Sequence, residues 1–106
     1  MQHGDDTTAS SLAVTWAARA RELNPADRRV ANLVAATRDR HLMRQRRPQW
    51  YGTQFVRDGE HGPWRLYDID TTRVTDDERR RHGVGSLDEQ RRKAESMNRR
   101  PPTRQY

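Results

Sequence analysis

Residues 37–55 read TRDRHLMRQRRPQWYGTQF, a helical pattern that stops at a proline. Proline lacks a backbone donor and restricts the residue before it, so a helix is expected to end just ahead of Pro48. Asp39 and Arg40 come late in this helix, and the segment Gln49 to Gln54 follows the break. A carboxylate, a guanidinium, two amides, a phenol and a hydroxyl thus surround one glycine. A plain connection needs none of this chemistry, so we interpret the stretch as the candidate site.

The composition is that of a small and strongly polar chain. Its 106 residues are 31% hydrophobic with a mean hydropathy of −1.30, which allows one domain with a limited core. We expect a single domain over residues 1–97 and a disordered basic tail over residues 98–106. The absence of cysteine excludes disulfides, thiolate catalysis and zinc–thiolate centres. No apolar run reaches about 18 residues, so we predict a cytoplasmic protein with no membrane partner.

The charge balance is strongly basic. The formal net charge is +6, and Lys93 is the only lysine among 21 basic residues. Arginine favours bidentate contacts with carboxylate or phosphate, so this composition is compatible with an anionic partner. An arginine excess beside abundant alanine and valine is also what a GC-rich genome produces through codon usage. Composition alone leaves both explanations open.

Two amphipathic helices are predicted before the proline. Thr7 or Thr8 is placed to cap a first helix that enters at Ala9. Its apolar stripe, expected to pack on the second helix, consists of Ala9, Leu12, Ala13, Trp16, Ala20 and Leu23. The second helix is predicted from Pro25 to about Arg46, since proline suits the first helical position. Its stripe for packing on the first consists of Val30, Leu33, Val34, Thr37 and His41.

The second helix also carries apolar residues elsewhere on its circumference, which predicts a central helix covered on two faces. Asp39 lies in its latter half, and the residues three and four positions away are Ala35, Ala36, Leu42 and Met43. No cation of the same helix is therefore placed to pair with its carboxylate. Because a buried carboxylate needs compensating partners, Asp39 must find one in another segment or lie in a pocket.

After the proline the pattern becomes extended. Residues 50–55 alternate, residues 57–63 are rich in turn formers, and Trp64 to Ile69 form a second extended run. These features predict a two-stranded hairpin that needs the helices behind it for stability.

Two short helices are predicted to complete the chain. Two capping boxes mark their starts, namely Thr75-x-x-Glu78 and Ser86-x-x-Glu89. Gly83 is placed to cap the first of these helices, and the second is expected to reach about Met97. We therefore predict an α+β, mainly α fold with two packed helices, a β-hairpin and two short C-terminal helices.

Three segments give the chain a resemblance to a bacterial family of domains of unknown function. That family is typified by a Gln-His-x-x-Asp start, an Asp-Arg pair late in a helix, and a Gln-x-Tyr-Gly-Thr-Gln segment. The matching residues are Gln2-His3-Gly4-Asp5-Asp6, Asp39-Arg40 and Gln49-Trp50-Tyr51-Gly52-Thr53-Gln54. Most members of that family have further helical sequence before the Gln-His pair. They also have a glycine where this chain has Arg46 or Arg47. The chain thus looks like a short form, and the resemblance implies a polar site without naming a reaction.

The polar residues of these segments suggest a catalytic constellation. We predict Asp39, His3 and Tyr51 as catalytic residues, because apolar surroundings make a carboxyl group a usable acid or base. The predicted substrate-binding residues are Gln2, Arg40, Gln49, Thr53 and Gln54. The resulting hypothesis is a small enzyme, or a remnant of one, without cofactor or metal. It would perform hydrolysis, elimination or cyclisation on a polar or anionic small molecule or peptide.

A structural alternative stands beside the catalytic one. In it the same residues form a polar network that ties the hairpin to the second helix, with Asp39 accepting hydrogen bonds from the backbone of Tyr51 to Gln54.

Asp68 and Asp70 share a strand face, as two carboxylates that bind a divalent cation would. Such pairs more often mark a strand end that runs into a turn. His41 fits a packed, hydrogen-bonded histidine better than a metal ligand.

Two further functions are open from the sequence. Basic residues beside aromatic ones are typical of single-stranded nucleic-acid binding through phosphate contact and stacking. The strip with this character comprises Arg38, Arg40, Arg44, Arg46, Arg47, Trp50 and Tyr51, although a solvated arginine face with core aromatics gives the same pattern. A protein-interaction module would expose Trp50 or Trp64 in an apolar patch. Low hydrophobicity and three tryptophans also make a homodimer plausible.

Overall fold

The computed structural model describes the backbone of residues 3–99 and the side chains of residues 8–99. Within that range the elements are α1 (His3–Leu23), α2 (Arg28–Arg44), β1 (Phe55–Arg57), β2 (Trp64–Leu66), α3 (Asp76–Arg81) and α4 (Leu87–Arg99). The predicted α+β, mainly α fold is confirmed. Among the described helices, none is long and apolar enough to cross a membrane.

The first two helices have different ends from those predicted. α1 begins at His3 and not at Ala9, because the preceding residues include no proline and a single glycine costs a helix only about 1 kcal/mol. α2 begins at Arg28 and not at Pro25, since Asp27 is the N-cap and its side chain accepts from the Arg29 N–H at 2.9 Å.

The C-terminus of α2 has a feature of its own. Arg46 has a φ of 62°, in the left-handed region that favours glycine. Its N–H donates to the carbonyl of Met43, and the N–H of Arg47 donates to that of Leu42, both at 2.9 Å. This bonding is a Schellman motif, which stops the helix two residues before the predicted end. Arginine thus stands at a position where the backbone conformation suits glycine.

The face of α1 that packs on α2 is not the predicted apolar stripe. From Thr8 to Leu23, the buried residues of this face are Ser10 and Ala17, and Ser10 Oγ lies 2.7 Å from His41 Nδ1. The exposed fractions of the large residues in the predicted stripe are 56% for Leu12, 73% for Trp16 and 72% for Leu23. Small residues allow the two helix axes to approach closely. Helical periodicity shows which residues share a face, but it does not show which face is covered.

α2 is covered on two sides, as predicted. Toward α1 it presents Thr37 and His41, whereas Leu33 of the predicted stripe is 49% exposed. The residues that α2 buries are Ala31, Ala35, Thr37, Asp39 and Leu42. Asp39 is therefore an interior residue of the central helix.

Among the residues whose side chains are described, as many polar as apolar side chains are buried. The buried hydrophobic residues are Ala17, Ala31, Ala35, Leu42, Val74, Val84 and Ala94. The buried polar residues are Ser10, Thr37, Asp39, Gln49, Arg79, Ser86 and Gln90. Gln49 and Asp39 are the largest fully buried side chains among the described residues. Hydrogen bonding therefore specifies this core as much as apolar contact does.

The predicted hairpin is present but shorter. β1 and β2 pair antiparallel, with Phe55 opposite Leu66 and Arg57 opposite Trp64. Residues 50–54 precede the strand, because the backbone N–H groups of residues 50–53 bond to a side chain of α2 and not to a neighbouring strand.

The two C-terminal helices start where the capping boxes predicted. Reciprocal side-chain to backbone bonds are formed by Thr75 with Glu78 and by Ser86 with Glu89. Gly83, with a φ of 73°, follows α3 as predicted. α4 continues to Arg99, two residues beyond the predicted end, and the Asn98 side chain bonds the backbone N–H and carbonyl of Trp64. Residues 100–106 of the predicted tail lie outside the described residues.

The covered face of α1 can be tested by adding volume to it. Ala17 is 1% exposed, whereas its neighbour Ala18 is exposed. We expect Ala17→Leu to destabilise the fold by about 1–3 kcal/mol through overpacking. The matched Ala18→Leu should stay within roughly 0.5 kcal/mol. Urea denaturation followed by circular dichroism measures both, and equal midpoints for the two variants would contradict the assigned face.

Candidate functional site

Asp39 lies fully buried in α2, and its carboxylate accepts five hydrogen bonds. Oδ1 accepts from the backbone N–H groups of Trp50 and Tyr51, both at 2.9 Å. Oδ2 accepts from those of Gly52 and Thr53 at 3.0 Å and from Thr53 Oγ1 at 2.9 Å. The partner that the sequence required from another segment is therefore the backbone just after the proline. The structural alternative predicted donors from Tyr51 to Gln54. The observed backbone donors begin one residue earlier, at Trp50, and the Gln54 N–H donates to Gln49 instead.

Residues 50–54, called the clamped loop below, curl around this carboxylate. Gly52 has a φ of 94°, a conformation that L side chains rarely adopt. Successive N–H groups that point to one place form an anion-binding nest. Asp39 fills this nest from inside the protein and is 0% exposed, so a ligand anion does not reach it.

Arg79 of α3 satisfies the first carbonyls of the clamped loop. Its Nε donates to the carbonyl of Tyr51 at 3.1 Å, and its Nη2 donates to that of Trp50 at 3.2 Å. Its Nη1 forms an ion pair with Asp76 at 3.0 Å. The Arg79 side chain is only 3% exposed, so these three bonds occupy a guanidinium that water hardly reaches.

Two glutamines satisfy the remaining part of the loop. Gln49 Nε2 donates to the carbonyls of Gln54 at 3.0 Å and Tyr67 at 2.9 Å, while its Oε1 accepts from the Gln54 N–H at 2.9 Å. Gln90 of α4 donates to the carbonyl of Gly52 at 2.7 Å. Buried backbone groups need partners, and here side chains supply them in place of a strand or helix. One irregular loop is thus joined to α2, α3 and α4.

The outer side of the clamped loop forms one wall of a polar cleft of about 250 Å³. Arg40 of α2, Thr53 and Gln54 of the loop, and Lys93 of α4 line it. Asn32 and Gln90 complete the polar lining. Thr53 Oγ1 accepts from Gln54 Nε2 at 3.0 Å while it donates to Asp39. The buried network therefore fixes the rotamer of a side chain that lines the cleft.

The cleft is positively charged. Arg40 and Lys93 line it, and no aspartate or glutamate is among its lining residues. Within the part of the chain whose side chains are described, neither cation forms an ion pair. Lys93 Nζ lies 5.8 Å from the centre of the Phe55 ring. Two cations in a lining without acidic side chains, beside amide and hydroxyl groups, provide the chemistry to hold an anion.

Five of the eight predicted site residues fall into two groups. Arg40, Thr53 and Gln54 come together at the cleft. Asp39 and Gln49 are each 0% exposed and lie behind it, where they hold the clamped loop. The structure therefore places the predicted acid–base carboxylate away from the surface that a ligand reaches.

Of the remaining predicted residues, only the Tyr51 side chain is described. The Tyr51 ring packs against the His82 ring, with centroids 4.7 Å apart, and does not line the cleft. His3 is the first residue of α1, and its side chain is outside the described residues, as is all of Gln2.

Sequence reasoning missed three functional or organising residues. Arg79 and Gln90 hold the clamped loop, and Lys93 supplies the second cation of the cleft. The spacing of Gln90, Lys93 and Ala94 puts them on one side of α4, which was the available signal. The capping box located this helix, but nothing in the local sequence showed that its polar face would meet the loop.

Two smaller predictions are confirmed. His41 is a packed histidine bonded to Ser10. Asp70 ends a strand segment in a turn, where its carboxylate accepts from the Thr72 N–H at 3.1 Å and hydroxyl at 2.6 Å, and these bonds lower the pKa of Asp70. The described residues contain no group of three or more histidine, aspartate or glutamate side chains arranged to hold a metal ion.

The aromatic residues of the predicted nucleic-acid strip already have protein partners. The Cζ atoms of Arg38 and Arg73 lie 5.0 and 5.3 Å from the centre of the Trp50 ring. Such distances give cation–π attraction. Since Tyr51 packs on His82, both aromatic rings of the strip contact the protein itself.

Comparison of the chain with protein-family models, with curated proteins and with solved structures gives no match. The resemblance to a bacterial family therefore stays a prediction. The geometry of the clamped loop and the cleft is the basis for the function proposed below.

The role of Asp39 can be tested by removing its charge. In Asp39→Asn an NH₂ group replaces one carboxylate oxygen and opposes backbone N–H donors that are already fixed. We expect a loss of about 1–3 kcal/mol in stability because buried donors are left unpaired. Asp68→Asn, on an exposed side chain, is the matched control and should melt like the wild type. An unchanged midpoint for Asp39→Asn would show that the carboxylate does not organise the loop.

Tyr51 gives a pH-dependent prediction. Burial raises the pKa of Tyr51, and the negative charges of Glu78 and Asp39 raise it further. The folded protein thus holds the phenol proton more tightly than the unfolded chain does. This contribution to stability is complete below about pH 10, the ordinary tyrosine pKa, and is lost as pH rises from there through the folded pKa. Melts across this range should fall more steeply for the wild type than for Tyr51→Phe, and parallel curves would contradict the shift.

Proposed function

We propose that the domain binds a small anionic ligand whose carboxylate or phosphate group lies between Arg40 and Lys93. The observation that supports this most directly is the convergence of two cations, from α2 and α4, on a cleft with no acidic lining residue. Arginine offers a planar fork of donors to such groups, and lysine acts as a compact point charge. The ligand class agrees with the anionic small molecule or peptide expected from the sequence.

The size and lining of the cleft suggest a compact ligand. A volume of about 250 Å³ falls below the roughly 300–1,000 Å³ of sites for drug-sized molecules. Gln54, Gln90 and Asn32 add amide groups that donate and accept hydrogen bonds. A small metabolite with one anionic group and a few polar atoms fits this lining.

An adjoining groove extends the positive surface. It shares Asn32 and residues 83–85 with the cleft and adds Arg28, Arg29 and Arg80. Its volume is about 580 Å³. These cations raise the local concentration of anions and favour their encounter with the cleft.

We assign the cleft to binding and not to acid–base turnover. Asp39 is closed off by five hydrogen bonds, and Arg40 and Lys93 are the ionisable residues that line the cleft. An arginine stays protonated in proteins and so offers charge but no proton exchange. Catalysis by Asp39, His3 and Tyr51 stays a prediction from the sequence.

Charge removal inside the cleft tests the proposal. Inorganic phosphate, a short dicarboxylate and a phosphate monoester would be titrated separately into ¹⁵N-labelled protein. We expect the side-chain amide signals of Gln54 and Gln90 to shift with at least one of them. Arg40→Gln should weaken that binding by about tenfold or more, the effect of losing a charge-assisted hydrogen bond.

Matched variants separate a local site from the general positive field. Arg44→Gln on α2 and Arg91→Gln on α4 remove the same charge from exposed residues that do not line the cleft. They should change affinity by less than about threefold through long-range electrostatics alone. Equal weakening by Arg40→Gln and Arg44→Gln would exclude the cleft as the binding site.

A nucleic-acid ligand predicts a different outcome. A single-stranded oligonucleotide bound along Arg38, Arg44, Arg46 and Arg47 would lose affinity steeply with salt, because each phosphate contact releases a counterion. Arg44→Gln would also weaken the binding of this oligonucleotide as much as Arg40→Gln does. A compact ligand that makes one anionic contact gives a shallow salt dependence, so one salt series distinguishes the two functions.

A further inference from the structure

The outer face of α1 exposes large apolar side chains in a row. Leu12, Trp16 and Leu23 are 56%, 73% and 72% exposed, and all three lie within one narrow stripe of the helix. Isolated exposed hydrophobic residues are ordinary, but a contiguous stripe that includes a tryptophan marks an interaction surface.

The spacing of this stripe is that of a helix-pairing seam. From Ala9 the chain steps alternately three and four residues through Leu12, Trp16, Arg19 and Leu23. This alternation is the heptad pattern by which two helices pack side by side. Arg19 is the one charged residue within the seam, and it is exposed.

The position of Arg19 determines which partner fits. In a parallel pair of identical helices, each Arg19 would face the other and repel it. In an antiparallel pair centred between residues 17 and 18, Arg19 of one copy faces Trp16 of the other, and Leu12 faces Leu23. Arginine over the face of tryptophan is attractive. The seam is therefore complementary to itself in the antiparallel direction only.

The interior of the domain buries few large apolar side chains, and those of the α1 stripe stay exposed. Its buried apolar residues are mostly alanine and valine, and none of the three tryptophans is buried. α1 contacts α2 through small and polar residues such as Ala17 and Ser10. We infer that α1 is a self-association surface, on which a second copy of the chain pairs antiparallel through Leu12, Trp16, Arg19 and Leu23. This assembly is independent of the ligand proposed for the cleft.

Sedimentation over a concentration series tests the association, with moderate salt to screen the net charge of +6. We expect a reversible monomer–dimer equilibrium for the wild type, and a monomer for Leu12→Glu at every concentration. Leu12 is exposed in the single chain, so the helical circular dichroism of this variant should equal that of the wild type. A wild type that stays monomeric to the highest concentration overturns the inference, as does a Leu12→Glu variant that still dimerises.

Crosslinking tests the direction, because the chain has no native cysteine. A mixture of Leu12→Cys and Leu23→Cys should form a disulfide between the two variants under mild oxidation. Neither variant alone should crosslink more than the off-stripe control Ala18→Cys. In the antiparallel pair two copies of residue 12 lie about 16 Å apart along the helix, beyond the roughly 7 Å that a disulfide spans. Efficient crosslinking of Leu12→Cys to itself would overturn the antiparallel arrangement.

Discussion

The carboxylate of Asp39 is the interaction on which the rest of the structure depends. A buried charge is costly unless hydrogen bonds replace its water, and four consecutive backbone N–H groups with one hydroxyl do so here. The converse is equally important. Residues 50–53 form no regular element, so without Asp39 their N–H groups would be buried unpaired. Each side of this contact therefore compensates the cost of burying the other.

This reciprocity explains how so polar a chain has a defined interior. Arg79 and Gln90 complete the arrangement by binding the carbonyls of the same loop from α3 and α4. The two C-terminal helices are thus joined to α2 by hydrogen bonds, through the loop and through Asn32, which donates to the carbonyls of His82 and Gly83 after α3. This network positions two lining residues of the cleft. Arg40 neighbours Asp39 in sequence, and the Thr53 hydroxyl donates to the Asp39 carboxylate. Moving the loop would therefore move the wall of the cleft that carries Thr53 and Gln54.

Interactions within a few residues were predictable from the sequence. Which helix face or loop is covered by a segment distant in the chain was not. The lack of a cation three or four residues from Asp39 in its own helix correctly required a partner from another segment. Both capping boxes located their helices, because a cap is complete within four residues. The α1 stripe was predicted as buried and is exposed, since periodicity carries no information about which face finds a neighbour. Gln90 was missed for a related reason: its partner, the Gly52 carbonyl, is remote in sequence.

α2 is the element common to the cleft and to the α1 surface. On one side it meets α1 through the contact of His41 with Ser10, and on the other Asp39 holds the clamped loop. The residues inferred to pair two copies lie on the outer side of α1, away from the small residues that contact α2. A substitution on this outer side changes how much apolar surface the pairing of two copies would bury. It leaves the hydrogen bonds of Asp39 intact. The proposed assembly therefore depends on apolar burial, whereas the proposed ligand binding depends on charge complementarity.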